Sequence, residues 1–226
     1  MGSIRCHGRR PALWAATLAA AVVCWPAAAA AGARGDRGPD AEIFASSTTA
    51  IITDPDDPRL ADRLVGFRRE VKRIIRRGGA VARRTRLLDG MFFSPILGFT
   101  TFQRSREFDI ARVSRPQLRD IAATIARRFR QQSVLTFDAA ERRSDPVDAV
   151  EVEVRGIEAA RLRFAFVADA EVRGRLMGAS VTVGGRLMLV AALEDLAVVE
   201  RFVTALGARF GDATVRRGHR EFVTAA

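Results

Sequence analysis

The sequence predicts an α+β protein: two tandem β-α-β-β-α-β (ferredoxin-like) units, possible as a pseudo-dimer, following a signal peptide. Three observations predict this. An arginine-led apolar run with a small-residue exit opens the chain. The composition, 48% hydrophobic and 28% charged over the whole sequence, is a globular profile. After the opening run, the same order of extended and helical patterns appears twice.

The opening run comes first. Arg5, Arg9 and Arg10 precede an apolar stretch from Pro11 to Pro26, and Ala29-Ala30-Ala31 and Ala31-Gly32-Ala33 offer small-x-small cleavage sites. This is the layout of a signal peptide over 1–33, with 34–41 as a flexible leader. A bacterial-type secreted or cell-envelope location is therefore expected. The apolar run is short for a span of about 20 residues, so no transmembrane segment is expected in the mature chain. Arg9-Arg10 lacks the full hydrophobic pair of a twin-arginine signal, and Val23 before Cys24 is the wrong neighbour for lipidation. Cleavage would remove both cysteines, and with them any disulfide, thiol nucleophile or cysteine metal site. It would also leave 34 of the 37 basic residues against 26 acidic ones, a net charge of about +8. Every base but Lys72 in that remainder is arginine.

The first unit is placed at 42–138. Ile43 to Thr53 reads as extended. Asp57-Pro58 starts a helix, with a capping carboxylate and proline at its first position. Leu60, Leu64, Phe67, Val71 and Ile74 lie on one helical face, and Gly78-Gly79 ends it. Leu87–Phe93 and Phe99–Phe108 form a hairpin about Ser94-Pro95 and Gly98. Ser114 with Gln117 forms a capping box ahead of the stripe Leu118, Ile121, Ala122, Ile125 and Phe129. Val134–Phe137 closes the unit. After a linker at 139–148, the second unit occupies 149–226. Val150, Val152 and Val154 alternate with Glu151 and Glu153, the pattern of a half-buried strand. A helix over 157–176 is broken near Asp169. Gly184-Gly185 turns a hairpin between 181–183 and 186–191. Leu193 to Leu206 is helical, and short strands flank Gly218.

Ile125 to Leu135 resembles the helix-to-strand junction of a family of secreted bacterial proteins of unknown function, and Thr85 to Phe93 resembles that family's early strand. The resemblance implies no functional residue.

No catalytic constellation, metal site or cofactor is expected. His219, the single histidine after cleavage, lies among Arg216, Arg217 and Arg220 in what reads as a basic turn, with Glu221 its one nearby carboxylate. Such a setting disfavours a general base. Asp54, Asp56 and Asp57 lack the alternation, glycine and final glutamate of a calcium loop. Glu151 and Glu153 read as a solvated sheet face. Phe92, Phe93, Phe99, Phe102 and Phe108 read as packing rather than base-stacking residues, and nucleic acid is not an expected partner. The first helix carries Arg69, Lys72, Arg73, Arg76 and Arg77, candidates for docking an anionic polymer or lipid surface. The leading functional expectation is non-enzymatic binding of a partner or cell-surface component. The alternatives are a small dimeric α/β-barrel-type enzyme or ligand- or haem-binding protein, and an anionic-surface binder acting through the first helix. Composition does not decide an oligomeric state.

Overall fold

Strand and helix patterns in this chain are consistent enough to place most elements, and a computed structural model shows how they assemble. It describes residues 41–140, 146–176 and 178–225. The expected signal peptide and all but the last residue of the leader lie outside the described residues.

Eight strands run in chain order: β1 (Ala41–Ser46), β2 (Val81–Ser94), β3 (Phe99–Ala111), β4 (Ser133–Ala139), β5 (Ala149–Arg155), β6 (Gly178–Thr182), β7 (Arg186–Ala192) and β8 (Thr214–Thr224). The helices are α1 (Val65–Arg77), α2 (Arg115–Phe129), α3 (Ala159–Ala168), α4 (Ala170–Leu176) and α5 (Leu196–Ala205). Every strand pairs antiparallel, and the order β1-β3-β2-β6-β7-β5-β8-β4 returns to β1. The expected tandem ferredoxin-like units are corrected by this closure: the strands make one closed barrel. An open four-stranded sheet leaves two rows of unsatisfied backbone groups at its edges. Here β2 joins β6 and β4 joins β8, so those edges are consumed.

The helices cover the outside in two clusters. Phe67, Val71, Ile74 and Ile75 of α1 and Leu118, Ile121, Ala122 and Ile125 of α2 pack on Ile43, Phe108, Ile110 and Val134. Leu162, Phe166, Val172, Val199, Phe202 and Val203 of α3, α4 and α5 pack on Val150, Val152, Leu187 and Leu189. The capping box forms as expected, with Ser114 accepting from the Gln117 amide. The break at Asp169 also forms, its side chain accepting from the Val172 amide at 3.0 Å.

Several boundaries differ. The helix expected from Asp57 is a single 3-10 turn at Pro58–Ala61; α1 starts only after Leu64, whose φ is +52°. Asp62 caps that break by accepting from the Leu64 amide. The extended run after Ile43 stops at Ser46, because β3 is its pairing partner only that far. The strands expected on either side of Gly218 are one continuous strand, β8. Glycine is required there by crowding rather than by a turn. A Cβ would run into the Asp138 carbonyl and come 2.9 Å from the Phe137 ring. At the other seam, Gly90 and Gly178 leave room for the Phe92 ring in the same way. Among the described residues no helix is long and apolar enough to cross a membrane.

Gly218→Ala is expected to lower stability by about 1–3 kcal/mol, as overpacking does. A urea titration should show a lower midpoint with unchanged slope.

Candidate functional site

Strand alternation gives a closed barrel an inside as well as a helix-covered outside. In β5 the valines face the helices, so Glu151 and Glu153 face the lumen. The expectation of a solvated face is corrected here: Glu151 is 0% exposed. The other wall of the barrel covers the face that an open sheet would have presented to water. Glu42 on β1 and Glu107 on β3 are likewise 0% exposed, and Asp109 is buried beside them. Arg86 on β2, Arg186 on β7 and Arg216 on β8 meet these carboxylates from other strands.

The contacts form one connected network. Arg86 reaches the Glu107 Oε1 at 2.5 Å and the Glu153 Oε1 at 3.0 Å. Arg186 holds the other Glu153 oxygen at 2.6 Å. The Arg216 Nη2 donates to both Glu42 and Glu151, and its guanidinium lies 5.7 Å from the Phe137 ring centroid. Burial pushes the Glu107 carboxyl well above the usual carboxylate range, helped by the charge of Glu42 and a hydrogen bond with Asp109. Burial also raises Glu151, again with Glu42's charge and a hydrogen bond to Glu42 adding to it. Desolvation alone would lower Arg86 and Arg216. The carboxylates around each reverse that and raise both.

One end of this network opens to solvent. Arg84, Arg86, Arg155 and Arg186 line a cleft of about 540 Å³ with Leu87, Thr182, Val183 and Gly184. The cleft exists because β6 pairs with β2 only as far as Leu88. Beyond that residue the turn at Gly184-Gly185 leaves β2 without a neighbour on that side. Arg186 and Arg86 therefore look inward to Glu153 and outward to the opening. Guanidinium forks gathered like this match carboxylate and phosphate oxygens.

No protein-family model matches the sequence, and no curated protein does. Among solved structures, a presumed monooxygenase from Lactobacillus acidophilus NCFM, determined at 1.55 Å, matches at 10% identity with a TM-score of 0.25. The match covers 84% of this chain and 98% of that one. A superposition that loose transfers neither fold nor activity.

The residues expected from sequence lie elsewhere. Arg69, Lys72, Arg73, Arg76 and Arg77 lie on α1, with Arg69, Arg73, Arg76 and Arg77 exposed and Lys72 half-buried. Arg73 pairs with Glu70, and the Arg76 Nε donates to the Lys72 carbonyl at 3.4 Å. None of the five reaches the lumen network. Asp57 caps the 3-10 turn and pairs with Arg59, whose hydrogen bonds hold its carboxyl down at about 2. His219 is on a strand, not in a turn. Its carboxylate neighbour is Asp148, 3.4 Å from Nδ1, while Glu221 pairs with Arg119. Of the phenylalanines, Phe108 is fully buried and Phe93 and Phe102 pack on the second core cluster. Phe99 is 39% exposed.

Sequence alone does not single out the lumen residues, because each looks like an ordinary charged residue of a half-wet strand. A signal is nonetheless there. Acidic residues alternate with apolar ones in β1, β3 and β5, and single arginines hold the equivalent places in β2, β7 and β8.

Arg216→Met is expected to cost about 3–5 kcal/mol, because Glu42 and Glu151 then share a buried site with no counter-charge. Urea denaturation measures it. The raised carboxyls fix a second expectation. Folded Glu107 and Glu151 hold protons that the unfolded chain gives up near pH ~4.3. Their contribution is complete below that value and is lost as pH climbs toward the folded-state values. In metal-free buffer the wild type should therefore lose melting temperature, relative to a Glu107→Gln/Glu151→Gln variant, between mildly acidic and mildly alkaline pH.

Proposed function

We propose that this chain is a ligand-binding barrel whose ligand is a small anion, carrying carboxylate or phosphate groups, held at the arginine-lined opening. The observation that carries the reading is the convergence of Arg84, Arg86, Arg155 and Arg186 on one cleft. Charge alone is weak support in a chain of net charge +11. Placement is stronger support. Arg86 and Arg186 are fixed from behind by Glu153, so less side-chain freedom is lost when a ligand engages them. The cleft has the volume of a small-molecule site.

Binding, rather than turnover, is the form the reading takes. Among the described residues lining the cleft, the polar groups besides the arginines are the Thr182 hydroxyl and backbone, and no carboxylate or histidine lines it. A general base is therefore not at hand for the hydroxyl.

Isothermal titration with inorganic phosphate and with citrate tests this. We expect saturable binding by at least one of them that weakens as salt is added. Arg155→Glu should reduce the affinity by about tenfold or more, equivalent to the loss of one charge-assisted contact. Heat signals absent for both probes at millimolar concentration, or affinity unchanged in Arg155→Glu, would overturn the reading.

A further inference from the structure

The lumen network is not balanced. Glu42, Glu107, Asp109, Glu151 and Glu153 face Arg86, Arg186 and Arg216, so five carboxylates meet three guanidinium groups. Fully ionised, the network carries two negative charges in excess, inside a barrel that excludes water. Uncompensated charge at such a place is costly. Either two protons or one divalent cation removes the excess.

The placement of individual oxygens separates these. Glu42, Glu107 and Asp109 each offer an oxygen within 4.8 Å of the others. In each of the three a buried oxygen lacks a hydrogen-bond partner: Glu42 Oε2, Glu107 Oε2 and Asp109 Oδ1. A second grouping, Glu42 with Glu151 and Glu153, is equally compact. There the Glu153 oxygens are both taken, by Arg86 and Arg186, and Glu151 shares Arg216 with Glu42. The orphan oxygens therefore collect on the β1–β3 side, away from Arg216. Buried acceptors without donors ask for a ligand. Three of them on adjacent, paired strands, all carboxylate, suit a hard cation. Ca²⁺ takes oxygen donors at 2.3–2.6 Å, so two ligands on opposite sides of it stand about 5 Å apart, consistent with the spread here.

We infer that the barrel lumen binds one divalent, oxygen-preferring cation between Glu42, Glu107 and Asp109. The ion supplies the two missing positive charges and joins β1 to β3 through side chains as well as backbone. Glu151 stays outside its shell as the second partner of Arg216. This site is separate from the anion cleft, and either can fail without the other.

The test uses chelator-treated full-length chain in phosphate-free buffer at mildly alkaline pH. CaCl₂, MgCl₂ and MnCl₂ are each titrated by calorimetry, and melting is followed by circular dichroism. One ion per chain is expected for at least one of the three. At about a hundredfold excess over Kd the melting temperature should rise by roughly 5 °C. Glu107→Gln/Asp109→Asn, which keeps side-chain shape while removing two charges, should remain folded and lose the response. If the pair proves unfolded, Glu107→Gln alone must weaken binding at least tenfold. Glu151→Gln should keep the one-to-one stoichiometry. Wild-type chain that binds none of the three ions at millimolar concentration, and instead takes up two protons across the same pH range, would overturn the inference. So would binding that survives in Glu107→Gln.

Discussion

A sheet joined to itself along both edges must put every second side chain into an enclosed space, and in this chain that space receives charges. The constraint organises most of the molecule. Pairing of β2 with β6 and of β4 with β8 removes the exposed edges, and it also converts ordinary polar strand positions into buried ones. Once Glu42, Glu107 and Glu151 are inside, arginines must come to them from other strands, and Arg86, Arg186 and Arg216 do. The apolar residues are left to the outer surface, where the helices cover them in two clusters. The usual arrangement of a greasy centre and a wet rim is turned inside out across the sheet.

Such a network is a poor source of net stability. A well-packed apolar lumen of the same volume would serve folding equally well or better. Its value lies in specification. Arg216 donates to Glu42 and Glu151, residues far apart in sequence, and only one register of β8 brings the three together. A slip by one residue would turn the arginine toward the helices and leave both glutamates without it. The crowding at Gly218 fixes the same register sterically.

Local chemistry is well legible in the sequence, and long-range pairing is not. The capping box at Ser114, the Gly184-Gly185 turn and the break at Asp169 each depend on a few adjacent residues, and each stands where expected. Strand alternation in β5 is also legible, but alternation says only that two faces differ. It does not say which is wet, and Glu151 shows how the far wall of a barrel decides that. Gly218 looks like a turn because glycine is usually a sign of backbone freedom. Here it answers the approach of another strand's carbonyl, which no local pattern records. Helix α1 is read too far toward Asp57, because the apolar spacing runs smoothly through Leu64 while the backbone does not. The lumen site depends on all of these pairings together, and so is the least visible part.

The place of β8 in the order of strands has a kinetic side. It comes after every other strand along the chain and yet inserts between β4 and β5. Until it arrives, the cylinder is a curled sheet with a slot, and Glu42 and Glu151 are open to water and need no counter-ion. Inserting this strand expels that water and delivers the guanidinium in the same movement. A chain emerging from the ribosome would thus hold its carboxylates hydrated for most of synthesis, and would dehydrate them only when their partner is already alongside.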